Sequence, residues 1–314
     1  MEKELKAEDL FDKKIEIKNE QLVDPEYEVT VKLSSVGKLG LPAVLHVRDY
    51  SFDDTLIFAK ANSENESAIV LELIKNIVYE DIDISKVTKQ DVLEILMAVQ
   101  GTFYSGVIDG KQYFIDETLT GEALTAKENI STATININDI KTLPLDKEVT
   151  VPINISNNKF AVLFDYPRLI HDVKAKEYIE EKFAARENEL STLIQKVRQG
   201  IASDAETAQV KQFNFDKNTE YMRVLTALQI LSFNGKEVNS IEDKLELMHK
   251  LPVSVFTLLT KIFSLRFNFG VQDEVTFIDN ETEKPITRRF DFRYIDFIPA
   301  LEQGNESGFN VSFG

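Results

Sequence analysis

Residues 148–197 read EVTVPINISNNKFAVLFDYPRLIHDVKAKEYIEEKFAARENELSTLIQKV, and the apolar spacing changes partway along them. As far as Phe164, apolar and polar residues alternate, the period of a strand with one face on a core. Ile153 and Ile155 against Val162 and Phe164, across the turn at 156–158, read as a β-hairpin. After Tyr166 and Pro167 the spacing becomes helical. From Leu169 onward Val173, Ile179, Phe183, Leu190, Leu193, Ile194 and Val197 fall on one stripe, and Gly200 ends it. A hairpin that hands over to a long helix, within a chain that does the same elsewhere, gives an α+β class.

Working outward, residues 29–48 predict a strand, a glycine-bearing loop and a second strand, because Val29, Val31 and Leu33 alternate with polar neighbours. Two helical patterns follow at 67–79 and 92–99, the second opened by Thr88 and Asp91 at capping-box spacing. Downstream, 218–231 reads as a helix stopped by Asn234 and Gly235. Ser240 with Asp243 starts another, and 251–265 is an almost wholly apolar one. Residues 266–269, 274–278 and 286–292 return to strand character. The expected organisation is an acidic arm over 1–28, a mixed strand and helix domain over 29–110, a β-rich insert over 111–165, a helical domain over 166–265, and a β-rich segment and tail over 266–314.

Composition narrows the function. An apolar fraction of 43% and a charged fraction of 28% are those of a chain that folds along most of its length. The 36 Lys and Arg against 53 Asp and Glu leave a net charge of −17, which repels phosphate backbones and anionic lipid alike. Neither nucleic acid nor a membrane is an expected partner. There is no cysteine, hence no disulfide, thiolate nucleophile or thiolate metal site. The N-terminal MEKELKAEDLFDKK has no apolar core of signal-peptide length and no uninterrupted apolar stretch approaches a membrane span, so the expectation is a protein that stays in the cytoplasm where it is made.

Motifs that carry chemistry are few in this sequence. Gly37 and Gly40 lack the third glycine of a dinucleotide fingerprint, and no P-loop, nucleophile elbow or calcium loop is present. His46, Arg48 and Asp49 could be drawn as an acid-base trio, yet strand alternation puts His46 and Arg48 on one face and Asp49 on the other. His171 and His249 read as ordinary helical surface. Glycoside hydrolysis needs only two suitably spaced carboxylates, but the sequence singles out no pair among so many acids. No catalytic residue, cofactor or metal ligand is therefore expected. Two candidate partner-binding sets remain. Val173, Ile179, Phe183, Leu190, Leu193 and Val197 form a stripe that is either core against the later helices or a surface for a partner. Arg288, Arg289 and Arg293 interleave with Phe290, Phe292, Tyr294 and Phe297, as a strand with inward aromatics or as an arginine-rich protein interface.

Three longer stretches carry a resemblance. VKLSSVGKLGLPAVLHVRDYSFDDTLIFA (31–59) and AIVLELIKNIVYEDIDISKVTKQDVLEILMAVQGTFYSG (68–106) resemble the first half of the baseplate hub assembly family of T-even-like contractile-tailed phages. The insert QYFIDETLTGEALTAKENISTATININDIKTLPL (112–145), the return strand FAVLFDYPRL (160–169) and, more weakly, LRFNFGVQDEVTFIDNETEKPITRRFDFRYIDFIPAL (265–301) continue it. The resemblance implies a short strand and a glycine loop leading to an extended run, then helices that end before a β insert. It also implies a part in building the central hub of a contractile tail, with hub or tape-measure proteins as partners. The chain would act in the host cytoplasm during assembly, then stay in the particle or leave as a chaperone. Some relatives carry cysteine pairs in the insert and near the C-terminus; this chain has none, so no metal role carries over. A tail-associated cell-wall hydrolase using paired carboxylates is the alternative from another class, and oligomeric state is left open.

Overall fold

Short polar side chains fix where the helices begin, and apolar alternation fixes how the strands pair. The structure, a computed structural model, describes residues 28–62, 64–145, 151–155, 160–251, 254–255, 269–279 and 284–298. Strands β1 (Glu28–Lys32) and β2 (Val44–Arg48) pair antiparallel, with Val31 opposite Leu45 and Val29 opposite Val47. Ser51 and Asp54 form a reciprocal cap on α1 (Phe52–Phe58). Helix α2 (Glu66–Ile77) follows, then α3 (Lys89–Phe103), opened by the Thr88 and Asp91 cap that the spacing predicts. Each such cap satisfies amides that a first helical turn leaves without partners, a contribution of about 1 kcal/mol.

Strands β3 (Val107–Phe114) and β4 (Ile130–Asn136) form the next antiparallel pair. After β5 (Thr142–Leu143), β6 (Val151–Ile155) and β7 (Phe160–Phe164) make the expected hairpin, with Ile153 opposite Val162 and Ile155 opposite Phe160. Two long helices come next, α4 (Leu169–Arg198) and α5 (Asp204–Leu228). Then come β8 (Ile230–Phe233), β9 (Lys236–Glu237) and α6 (Ile241–Lys250), the last capped by Ser240. The described chain ends with β10 (Gly270–Val271), β11 (Glu274–Ile278), β12 (Pro285–Arg289) and a 3-10 turn at Tyr294–Phe297.

The architecture is α+β, and its apolar side chains gather into two cores. The first joins β1, β2, α2, α3, β3, β4, β11 and the C-terminal aromatics, with Leu45, Ile74, Ile95, Ile135 and Phe297 among its fully buried members. The second lies between α4, α5, α6 and the sheet β6-β7-β8-β9, around Phe164, Phe213 and Val224. Burying one such side chain stabilises the fold by about 1.5–3 kcal/mol.

Several sequence readings need correcting against this arrangement. The stretch 111–165 is not one insert: β3 and β4 belong to the first core, while β6 and β7 belong to the second. Ile230 and Leu231, read as the end of a helix, lie in β8 instead, and β8 and β9 extend that hairpin to four strands. Asn234 and Gly235 take φ values of 50° and 76°, so they make a two-residue hairpin turn and not a helix terminator. Helix α5 begins well before residue 218, because Ser203 and Glu206 cap it. The C-terminal β11 and β12 pack back on the first core. Most of the expected arm, the tail and nearly all of 251–268 lie outside the described residues.

Candidate functional site

The α4–α5 hairpin is the longest element pair among the described residues, and its interior takes the middle of the predicted stripe. Ile179, Phe183 and Leu190 are buried in the second core, with Leu193 partly buried beside them. Val173 packs on the first core and Val197 is half-buried. The Phe183 and Phe213 rings meet edge to face at 6.0 Å, and the Arg186 guanidinium lies 5.3 Å from the Phe213 centroid. The stripe thus faces α5 in this chain, and a partner reaches Ile179, Phe183 or Leu190 only by displacing that helix. Ion pairs close the seam on either side: Lys182 with Glu220 at 2.6 Å, Lys217 with Glu187 at 2.7 Å, and Arg186 with Asp216 and Lys196 with Glu206 at 2.8 Å. Hydrogen bonds from Lys196 and Arg223, respectively, hold the Glu206 and Glu220 carboxyls down to about 2.

The hairpin is anchored to the first core by Arg168, a residue to which no sequence motif points. Its Nη1 donates to the Leu39 and Lys86 carbonyls, each at 2.7 Å, while Nε and Nη2 reach the Asp165 carboxylate at 3.3 and 3.1 Å. The Leu169 amide donates to the Val87 carbonyl at 3.0 Å. One buried guanidinium therefore ties the glycine loop, the segment before α3 and the start of α4. His171 is part of this joint and not of the helical surface. Its Nδ1 accepts the Arg168 amide at 3.3 Å. Burial lowers its pKa to about 4, against the opposite pull of Asp165.

The arginine set is divided. Arg288 is half-buried and donates to the Thr287 carbonyl at 2.9 Å. Arg289 and Arg293 are exposed on the wall of a cleft of about 610 Å³ that Lys111, Asp109, Asp291 and Asp296 also line. Lys111 spans its floor as a strut, 2.5 Å from both Asp296 Oδ2 and the Asp291 carbonyl and 5.6 Å from the Phe292 centroid. The interleaved aromatics point inward: Phe290, Phe292, Tyr294 and Phe297 are all buried. Opposite charges balance along this cleft, so it offers neither a strong anion site nor a nucleophile next to a base.

The histidine trio separates. His46 bonds Glu80 at 2.7 Å, Arg48 bonds Asp54 at 2.6 Å, and the Asp49 carboxylate accepts from the Tyr104 hydroxyl at 2.6 Å. His249 Nε2 lies 3.0 Å from Arg223 Nη1 on the outside of α6. The carboxylates that come nearest to a catalytic pair are Asp91 and Glu94, one turn apart on α3 and 1% and 4% exposed. Glu94 Oε2 accepts the Ser34 amide at 2.7 Å. Asp91 Oδ1, Glu94 Oε1 and Gln100 Oε1 find no hydrogen-bond partner among the described residues. Burial raises both pKa values, Glu94 to about 7, with the Asp91 charge adding to the rise. A polysaccharide has no access to carboxylates buried this deeply. Among the described residues no group of three or more His, Asp or Glu could hold a metal ion, and no helix is long and apolar enough to cross a membrane.

Compared with family models, curated proteins and solved structures, the chain matches none. The baseplate hub resemblance therefore rests on the sequence stretches quoted above.

Proposed function

We propose that this chain is a baseplate hub subunit or hub assembly factor of a contractile-tailed phage, acting by binding other proteins and not by catalysis. The observation that carries the non-catalytic half is the fate of its ionisable groups. Along the hairpin seam they are ion-paired, in the arginine cleft they balance, and on α3 they are out of reach of any substrate. The phage half rests on the resemblance over 31–59, 68–106 and 112–145. A two-helix hairpin anchored at Arg168 suits a part that must present surface to neighbouring subunits. Partners would be hub or tape-measure proteins, met in the host cytoplasm.

Affinity capture of the tagged chain from infected cells tests this. Tail proteins should be among the captured partners, and host enzymes alone would count against the proposal. Mass spectrometry of purified particles then divides the two variants, since stoichiometric presence means a subunit and absence despite expression means a chaperone. Clearing of peptidoglycan by the purified protein would favour the hydrolase reading instead.

A further inference from the structure

We infer that the glycine loop between β1 and β2 is a latch governed by protonation: it closes over the Glu94 carboxyl while that group holds a proton, and opens far more readily once the proton leaves. A few contacts hold the loop down. The Leu33 amide donates to the Ala43 carbonyl at 3.0 Å across its neck, the Leu145 amide to the Ser34 carbonyl at 2.7 Å, and Lys38 Nζ to the Leu145 carbonyl at 2.8 Å. Further along, the Leu39 carbonyl accepts from Arg168. The loop is also strained. Val36, exposed at the surface, has a φ of 51°, next to Gly37 at 75°. A β-branched side chain in that region is an outlier that persists only where its surroundings enforce it, and opening relieves it.

Beneath the loop, Glu94 suits its place as a neutral acid and not as an ion. Its Oε2 accepts the Ser34 amide, and its Oε1 has no partner among the described residues. The charge that faces it is that of Asp91, of the same sign, which Arg168 tempers from the segment before α4. Lys38 of the loop is turned to the Leu145 carbonyl. The other elements packed on α3, namely β1, β2, β10 and the turns at Ile137–Asp139 and Tyr294–Phe297, bring no charged group to Glu94 among the described residues. The Ser34 bond favours the charged form and burial opposes it, and burial prevails. An ionised Glu94 therefore draws in water. The loop gives way before the helix, because α3 is 15 residues long and packed through the first core, whereas the loop is a turn at its margin. Opening takes the Leu39 carbonyl from Arg168, and takes Leu39 and Leu41 from the second and first cores, so the joint between the cores loosens with the latch. None of this depends on the phage reading.

Amide hydrogen exchange on the full chain decides it, each rate being compared with the intrinsic rate at the same pH. The reporters are the amides of Ser34, Val36, Lys38 and Leu145, which bond Glu94, Leu33, Ser35 and Ser34 respectively. Under the closed loop the Glu94 carboxyl is pushed up to about 7 from an ordinary 4.5. The opening equilibrium, and with it the loss of protection at these amides, should therefore rise by roughly a hundredfold between about pH 4.5 and 8. Their exchange should also be indifferent to low urea, because lifting one loop exposes little surface, whereas Ile95 and Val99 within α3 should exchange faster as urea is added. Glu94→Gln, which keeps an acceptor for the Ser34 amide and cannot ionise, should flatten the pH dependence. Loop protection that ignores pH in the wild type, or exchange that rises with urea in step with Ile95 and Val99, would overturn the inference, as would a pH dependence that survives in Glu94→Gln.

Discussion

On α3, Asp91 and Glu94 are buried and their carboxyls are pushed up, Glu94 to about 7, whereas in the α4–α5 seam Glu206 and Glu220 are held down to about 2 by Lys and Arg neighbours. The same side-chain chemistry is thus placed under opposite stresses in the two halves. In the first core desolvation dominates, because the carboxylates have been taken from water with the Ser34 and Thr88 amides and the Thr88 hydroxyl as compensation. In the seam, solvent still reaches the groups and opposite charges supply the stabilisation. Buried polar groups should therefore carry large energies and strong pH dependence, and the seam pairs small energies and strong salt dependence.

Arg168→Ala should have the largest effect, because it removes a buried cation from between Asp165 and the Leu39 and Lys86 carbonyls, leaving Asp165 with the Tyr166 amide but no counter-charge. A loss of about 3–5 kcal/mol in urea denaturation is expected. A loss below 1 kcal/mol would show that solvent relieves the joint and would erase the contrast with the seam.

Glu94→Gln comes next. The folded-state pKa of Glu94 lies above its ordinary value, so the folded protein holds a proton that the unfolded chain has released. That group's contribution is complete below pH 4.5 and is lost as pH rises to about 7. The variant, which cannot ionise, should gain on the wild type across that window by a total on the order of 3 kcal/mol. His171 tilts the other way. Its folded pKa is about 4 against an ordinary 6.5, so its contribution is complete above pH 6.5 and is lost as pH falls towards 4. His171→Asn, which keeps an acceptor for the Arg168 amide, should gain on the wild type on acidification by a similar total, on the order of 3 kcal/mol. The two slopes oppose each other between pH 4.5 and 6.5, and each variant should expose the other's. Parallel stability curves for both variants would mean that neither group feels its burial.

Where the fold was legible, a local signal carried it. The caps at Thr88–Asp91 and Ser240 are four-residue patterns, and the Ile153 to Val162 register follows from alternation across one turn. The first half of α5 was not legible because its buried residues are few, Val210 and Phe213 among polar neighbours, and only contact with α4 makes them a face. Asn234 and Gly235 mislead for a definite reason: both a helix stop and a hairpin turn ask for positive φ, and a two-residue strand is too short to show its period. The same limit applies to the functional groups. Arg168 is identified by carbonyls far away in sequence, those of Leu39 and Lys86, which no motif can encode. The apolar stripe on α4 was visible, but whether α5 or a partner covers it depends on a helix the spacing had placed too late.

The smallest effect is expected from Glu220→Gln in the seam, although the pKa of Glu220 is among the most strongly shifted. Arg223 bonds it at 2.6 and 2.8 Å and Lys182 at 2.6 Å. Taken at face value, so large a shift would suggest a stability contribution comparable to that of Glu94. Yet the Lys182 side chain is 43% exposed and Arg223 25%, so water competes for both cations and ions screen them. The variant keeps one oxygen to accept from Arg223 and loses the charge and the second acceptor. A cost of about 0.5–1 kcal/mol is expected at low salt, shrinking in 0.5–1 M salt of the order that screens surface pairs. A cost of several kcal/mol that persists in high salt would place the seam acids with those of α3, because the hairpin would then be excluding water as thoroughly as the first core does.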